Sequence, residues 1–272
     1  MSVSRPILRY FGGKWVLAPW IISHFPTHKI YTEAFGGAAS VLLRKTRAYA
    51  EVYNDLDGEM VNLFRVLRNP AQARELVRMV ALTPFAREEF ELSYLADGDP
   101  IEQARRTLFR SFAGYGTNAI QRNTGFRGNV TRSGTIPAHD WATLPGVLEQ
   151  AIDRLRGVII EHDSAERVLR TYDGPTTLDY VDPPYPHDTR RGGRYRHEMT
   201  DDDHRDLAGV VKDLAGMVIV SGYACELYDL DLYADWQRVT RHTHADGAKD
   251  RTEVLWISPN AVVRPQLDLE VL

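Results

Sequence analysis

An acid, two prolines and a tyrosine follow a short apolar run in the second half of the chain. The run is T-T-L-D-Y-V, residues 176–181, and it continues into Asp182, Pro183, Pro184 and Tyr185. Such a run predicts a buried strand, and the carboxyl ends of strands are where open α/β sheets bind ligands. Proline has no N–H group and fixes φ, so the turn is stiff and leaves its carbonyl oxygens as acceptors.

These groups suit a planar ligand that carries an exocyclic amine. Asp182 would accept one N–H of the amine, the Pro183 carbonyl would accept the other, and Tyr185 would stack on the ring. An aromatic amine is a poor nucleophile because its lone pair is delocalised into the ring. Two acceptors would help to make the nitrogen tetrahedral and aim its lone pair at an electrophile. The structural alternative is an Asx turn with two prolines.

Two glycine turns near the start of the chain predict the other half of a binding site. One is Y-F-G-G-K, residues 10–14, which carries an aromatic ring and a cation. In Y-T-E-A-F-G-G-A-A-S, a strand ends at Glu33, and small residues open a helix after Phe35 and Gly36. Glycine lets the backbone approach a ligand, and free helix N–H groups face it. Asp55 lies about twenty residues after this turn, where dinucleotide-type folds hold ribose hydroxyls. A full G-x-G-x-x-G and a Walker lysine are both missing, which favours a nucleoside without phosphates.

Strands that alternate with helices at both ends of the chain must position these groups. Apolar runs predict strands at 29–33, 48–54, 157–161, 177–181, 217–222 and 252–258. The first five look fully buried, as in a mostly parallel sheet, and the last two are candidates for antiparallel edge strands. Residues 58–118 have a helical pattern, and 119–137 suit a loop or hairpin. The pattern predicts one α/β sheet that carries an inserted, mainly helical lobe.

The composition fits a soluble globular protein. The chain has 272 residues, 43% hydrophobic and 26% charged, with a net charge of −4. We expect neither a membrane span nor a signal peptide, because no apolar run is long enough and the first residues lack an apolar core region. Cys225 is the single cysteine, which fits a reducing, cytoplasmic location. The histidines lack H-E-x-x-H spacing, so no metal is expected.

Two arginine-rich segments stand out in this acidic chain. Residues 101–135 contain six arginines against one acid, and residues 187–197 contain four against one. Arginine neutralises phosphates and, with asparagine, reads base edges, whereas the plain alternative is a solvated helix face and a polar loop. Both interpretations stay open on the composition of these segments.

The ordered motifs F-G-G-K, E-A-F-G-G-A-A-S, N-D-x-D and D-P-P-Y resemble those of the Dam-like DNA adenine methyltransferases. The resemblance implies DNA binding, for which the candidate contacts are Arg122, Asn123, Arg127, Asn129, Arg132, Arg190, Arg191, Arg194 and Arg196. The resemblance covers most of the chain and implies a Rossmann-like methyltransferase fold. Residues 1–57 and 151–272 would form the catalytic domain, and 58–150 the helical target-recognition domain. The implied reaction, of class EC 2.1.1.72, moves a methyl group from S-adenosyl-L-methionine to N6 of an adenine flipped out of double-stranded DNA.

The resemblance also assigns roles to the matching residues. Asp182, Pro183, Pro184 and Tyr185 would be catalytic. The cofactor residues would be Tyr10, Lys14, Glu33, Phe35, Gly36, Asp55, Asp163 and Asp182. Ala38 stands where the family often has a third glycine, and the loop 119–135 differs from well-known members, so the target sequence does not carry over.

Several alternatives stay open on the sequence alone. The same chemistry on cytosine N4 or on an RNA base is one, and a catalytically silent DNA-binding module is another. A nicotinamide oxidoreductase is disfavoured by the incomplete glycine fingerprint. We expect a monomer or weak dimer, and the motifs do not indicate whether a restriction endonuclease accompanies the chain.

Overall fold

The computed structural model describes residues 3–128, 136–189, 195–245 and 249–262. Within these ranges the chain forms a seven-stranded sheet with helices packed on it. The strands are β1 (Ile30–Glu33), β2 (Ala50–Asn54), β3 (Val158–Glu161), β4 (Thr177–Val181), β5 (Met217–Tyr223), β6 (Gln237–Ala245) and β7 (Lys249–Ile257).

Five of the described helices begin where the sequence supplies a capping side chain. Asp57, Asn69, Asp99 and Ser164 each accept a backbone N–H at a helix start, and Thr200 forms a capping box. The helices are α1 (Ala18–Ile22), α2 (Ser40–Arg44), α3 (Gly58–Arg68), α4 (Pro70–Leu82), α5 (Arg87–Leu92), α6 (Pro100–Ala113), α7 (Pro137–Ala142), α8 (Leu144–Leu155), α9 (Ala165–Thr171) and α10 (Asp201–Asp213). A 3₁₀ turn (His187–Thr189) and a π-helical turn (Leu227–Leu232) complete the set.

The sheet has the strand order β3-β2-β1-β4-β5-β7-β6. The first five strands in this order are parallel, and β7 runs antiparallel to both β5 and β6. The predicted mostly parallel α/β sheet is therefore confirmed.

Four details of the strand prediction were wrong. Residues 217–222 do not form an edge strand, because β5 lies between β4 and β7. Residues 252–258 are also interior, because β6 covers β7. The strand at the edge, β6, went unpredicted because its sequence Q-R-V-T-R-H-T-H-A is polar, as suits an exposed edge. At the opposite edge, Ile159 of β3 is 38% exposed rather than buried.

Helices cover both faces of the sheet. Successive side chains along a strand point to opposite faces, and they join a different apolar cluster on each face. Leu178 and Tyr180 belong to a cluster with α1, α2, α3 and α8, whereas Val181, Val218 and Val220 pack with α9 and α10. The first cluster also includes side chains of α4 to α7, so the helical segment shares one core with the sheet. The division into a catalytic domain and a 58–150 domain stays a prediction.

The strand order reverses between β1 and β4, which are neighbours in the middle of the sheet. Open α/β sheets bind ligands in the crevice at this point, outside the carboxyl ends of the strands. Glu33 ends β1, Asp182 follows β4, and Asp55 follows the adjacent β2. None of the helices described is long and apolar enough to cross a membrane.

Candidate active site

A cavity of about 260 Å³ lies at the carboxyl ends of the central strands. It brings together eight of the eleven residues predicted for catalysis or cofactor binding, from separate segments of the chain. The eight are Tyr10, Lys14, Glu33, Phe35, Gly36, Asp55, Asp182 and Pro184. Arg196, which was predicted as a DNA contact, lines the cavity as well. Pro183, Tyr185 and Asp163 are not among the lining residues. Their roles in catalysis and cofactor binding remain predictions.

The glycine turn after β1 is packed so tightly that it requires glycine. A Cβ atom on Gly36 would lie 2.2 Å from the ring of Tyr53, and one on Gly37 would lie 2.8 Å from the ring of Tyr10. Gly37 also has a φ of +47°, which glycine adopts readily. The Tyr53 hydroxyl donates to the Gly37 carbonyl over 2.8 Å. The turn therefore presents bare backbone to the cavity.

Two acids with raised pKa values flank this turn. Burial raises the pKa of Asp55 to about 6, although the backbone N–H groups of Asp57 and Gly37 donate to its carboxylate. Burial likewise raises the pKa of Glu33 to about 8, against hydrogen bonds from the Tyr31 hydroxyl and the Leu42 N–H. Acids with raised pKa values in a cleft are candidates for ligand binding, because a ligand that donates hydrogen bonds to them stabilises their ionised form.

Asp182 is held through both of its oxygens. Its Oδ2 lies 2.8 Å from Nζ of Lys14, and its Oδ1 accepts a hydrogen bond of 2.8 Å from Ser221 on β5. The Ser221 hydroxyl lies 2.9 Å from that of Tyr180. The carboxylate is thus fixed at the end of β4 by partners on β5 and in the N-terminal glycine turn.

Lys14 reaches Asp182 from the N-terminal glycine turn. Its ammonium donates to the Gly12 carbonyl over 2.9 Å, and it lies 3.8 Å from Oε1 of Glu253 on β7. Burial acts to lower the pKa of Lys14, but Asp182 and Glu253 outweigh it and raise this pKa above its usual value. Lys14 is therefore a buried cation between two acids.

Tyr185 is buried next to this ion pair, with only 3% of the residue exposed. Its hydroxyl donates to Glu253, and the Lys14 ammonium lies over its ring, 4.7 Å from the centroid. The ring of Tyr223 meets it edge-on at 4.7 Å. The predicted stacking role of Tyr185 stays a prediction, and the structure adds that its hydroxyl is fixed.

Residues that follow the D-P-P-Y turn also lie against the cavity. The ring of Tyr195 packs on Phe11 at 5.1 Å, and Arg196 forms ion pairs with Asp57 at 2.7 Å and Glu59 at 3.2 Å. Arg196 was predicted as a DNA contact, and here its guanidinium pairs with acids of α3 and its cap. Sequence reasoning missed the cavity position of Tyr195, although it follows D-P-P-Y closely.

The arginines of the first basic segment divide into two groups. Arg105, Arg106 and Arg110 form ion pairs inside the helical lobe, so they do not contribute to a free basic surface. The charge count along residues 101–135 overestimated the free positive charge, because three acids that pair with these arginines lie outside that segment. They are Glu59, Glu89 and Asp97, whereas Glu102 lies inside it.

The remaining candidate DNA contacts have different positions. Arg122 and Asn123 are exposed, and Arg127 is partly buried, with its Nη1 3.5 Å from the Phe112 carbonyl. The others lie outside the described residues: Asn129, Arg132, Arg190, Arg191 and Arg194.

Asp163 faces α9 instead of the cavity. Its carboxylate accepts the Ser164 N–H and pairs with Arg167 at 2.9 Å. The neighbouring Ala165 and Glu166 line the cavity in its place. No group of three or more candidate metal ligands occurs in the part of the chain that the structure describes.

Comparison with known proteins gives a family and two remote structural likenesses. A putative rRNA-methylase from Clostridium thermocellum is 9% identical, with a TM-score of 0.39 over 89% of this chain and 95% of that one. The putative methyltransferase yhhF from Escherichia coli is 11% identical, with a TM-score of 0.34 over 89% and 82%. No curated protein matches the sequence. The model of the D12 class N6 adenine-specific DNA methyltransferases matches residues 10–243, and the chain belongs to this family.

Proposed function

We propose that the protein transfers a methyl group from S-adenosyl-L-methionine to the N6 amino group of an adenine that is flipped out of duplex DNA at a defined sequence. One observation carries the proposal: the carboxylate of Asp182 lines the same cavity as the glycine turn and Asp55. The acceptor for an amine and the cradle for a nucleoside thus share one space.

The residues around the glycine turn fit S-adenosyl-L-methionine. Gly36 and Gly37, which have no side chains, place bare backbone on the cavity wall, and Asp55 offers a carboxylate to ribose hydroxyls. The cofactor supplies an electrophilic methyl group on a cationic sulfur.

Asp182 retains room to accept an amine. An ionised carboxylate has about four lone-pair sites, and Lys14 and Ser221 use two of them. The remaining capacity would take one N–H of adenine, and the Pro183 carbonyl would take the other. Because Lys14 and Ser221 fix the carboxylate beforehand, little reorganisation is needed when the base arrives.

Cofactor binding is expected to weaken in acid because of Asp55. Its pKa is raised to about 6 in the ligand-free protein, mainly by burial. Hydroxyl donors favour the ionised carboxylate, so binding lowers this pKa and is strongest above pH 6. We expect the Kd for S-adenosyl-L-methionine to rise by up to about tenfold per pH unit below 6, as measured by calorimetry between pH 5 and 7.

The Asp55→Asn variant is the control for this titration. It should bind the cofactor more weakly at pH 7 but lack the component near pH 6. Glu33, whose pKa is about 8, is expected to remain protonated across this range in the ligand-free protein. A wild-type Kd that stays constant from pH 5 to 7 would contradict the assignment of Asp55 to the ribose.

Arg122 and Arg127 are proposed to contact DNA from the lobe. Arg122→Ala should weaken duplex binding and reduce the slope of log K against log salt by about one if the side chain neutralises a phosphate. Fluorescence anisotropy over a salt series measures both quantities. Arg78→Ala removes an exposed arginine of α4 that pairs with Glu75 and should change neither. Unchanged affinity, salt slope and site choice in both Arg122→Ala and Arg127→Ala would remove this loop from the interface.

The function itself is tested by identifying the methylated product. The protein is incubated with radiolabelled S-adenosyl-L-methionine and genomic DNA, and the DNA is digested to nucleosides and also sequenced for modified bases. We expect N6-methyladenine at a defined sequence. Label in N4-methylcytosine would show that cytosine is the substrate, and label only in RNA would show that RNA is. Cofactor binding without transfer would indicate a silent DNA-binding module.

A further inference from the structure

Glu253 lies behind the candidate active site without lining the cavity. It belongs to β7, near the other end of the chain from Lys14, and only 2% of it is exposed. In the sheet it lies directly opposite Tyr223 of β5. Burial of an acid is costly without partners, so its contacts explain why it is retained there.

Two contacts connect Glu253 to the catalytic turn. Its Oε1 accepts a hydrogen bond from the Tyr185 hydroxyl, and the same atom lies 3.8 Å from Nζ of Lys14. Lys14 in turn lies 2.8 Å from Asp182. Tyr223, its neighbour across the strands, packs edge-on against the ring of Tyr185. One buried carboxylate therefore contacts both Tyr185 of the D-P-P-Y turn and Lys14, which pairs with Asp182 of the same turn.

We propose that Glu253 is a positioning residue for methyl transfer, acting through the ring of Tyr185 and the ammonium of Lys14. The hydrogen bond to the hydroxyl fixes the orientation of the ring. The charge of Glu253 holds Lys14 between two acids, where Lys14 keeps one oxygen of Asp182 in place. This inference rests on the proposed function, because it concerns the rate of the same transfer.

The substitutions Glu253→Gln, Glu253→Ala and Tyr185→Phe separate the two contacts. Glutamine keeps an oxygen acceptor for the tyrosine hydroxyl but loses the charge near Lys14, alanine removes both, and phenylalanine removes only the hydroxyl. We expect Glu253→Ala to slow single-turnover methyl transfer by about ten- to a hundredfold, the value of a hydrogen bond to a charged group. Glu253→Gln and Tyr185→Phe should each show a smaller loss.

The two sites should also be coupled. In Glu253→Ala the tyrosine hydroxyl has already lost its acceptor, so adding Tyr185→Phe should cost much less than it does in the wild type. The Kd values for cofactor and for DNA should change less than about threefold in all variants, since Glu253 does not line the cavity. A rate effect with intact binding is what positioning requires.

A purely structural role gives a different result. Glu51→Gln is the matched control: Glu51 is also buried and bound by Lys45 and Arg154, but it lies at the amino end of β2, away from the cavity. It should lower the melting temperature without altering the rate constant of the folded enzyme. If Glu253→Ala behaves in the same way, the positioning role is overturned.

Failure of the proposed function would be visible separately. A wild-type enzyme that methylates no nucleic acid contradicts the proposed function, and the crystal structure of Glu253→Ala then decides the inference by itself. A displaced Tyr185 ring or Lys14 ammonium would support it, and unchanged positions of both would overturn it. A wild-type enzyme that methylates DNA at the same rate as Glu253→Ala contradicts only the inference.

Discussion

Asp182→Asn is expected to lower the single-turnover rate of methyl transfer to DNA by about 10²–10⁴-fold, the range typical of a group that acts directly on the reacting atoms. The substitution keeps the size of the side chain but replaces one acceptor oxygen with an amide that donates. That amide would oppose the Lys14 ammonium, which lies 2.8 Å from the carboxylate, or the N–H of the target amine. The rate is measured with enzyme in excess over a duplex that contains the target site.

Asp179→Asn is the matched control on the same strand. Asp179 lies three residues before Asp182, is fully buried, and accepts a hydrogen bond from Thr32. Burial raises the pKa of Asp179 to about 7, so asparagine resembles its protonated form. Transfer by this variant should be close to the wild type. Near-normal turnover by Asp182→Asn would contradict the proposed mechanism, because that mechanism makes the Asp182 carboxylate the acceptor of the amine.

Lys14→Met is expected to have the second largest effect, a loss of about 10²–10³-fold in the transfer rate near neutral pH. Without the ammonium, the carboxylates of Asp182 and Glu253 lose the cation between them, and Oδ2 of Asp182 loses the partner that holds it. A carboxylate that is no longer held in place is a poorly oriented acceptor for the amine. The rate is measured with enzyme in excess over the target duplex, as for Asp182→Asn.

A second buried lysine is the control for simple misfolding. Lys45→Met removes a lysine that pairs with Glu51 outside the cavity. It should reduce thermal stability and leave the rate constant of transfer by the folded enzyme unchanged. A Lys14→Met enzyme whose rate matches the wild type, or whose loss is no larger than that of Lys45→Met, would contradict the assigned role of Lys14.

Local sequence patterns predicted the centre of the sheet and much of the cavity wall. Most of the predicted site residues that line the cavity lie at the end of a buried strand or in a glycine turn, and both features leave a signal within a few residues. Because carboxyl ends of parallel strands meet at one edge, Glu33, Asp55 and Asp182 were expected to lie together, and they line one cavity. The family match over residues 10–243 agrees with the motifs that carried this expectation.

Contacts between segments that are distant in the chain could not be predicted from local sequence patterns. In the sequence Glu253 is one acid in a mainly apolar strand, and only the pairing of β7 with β5 brings it to Tyr185. The ion pairs of Arg105 and Arg110 involve Glu89 and Glu59, which a charge count along the chain does not connect. The polar edge strand β6 was missed for a related reason, since its partner β7 supplies the apolar face.

The most direct test is a crystal structure of the enzyme with S-adenosyl-L-homocysteine and a duplex that contains the target adenine. The account predicts the adenine outside the helix, with its N6 about 2.7–3.2 Å from both the Asp182 carboxylate and the Pro183 carbonyl oxygen. It also predicts the ribose of the cofactor on Asp55. An extruded base bound away from Asp182, or a cofactor bound outside the cavity of Glu33 and Asp55, would contradict it.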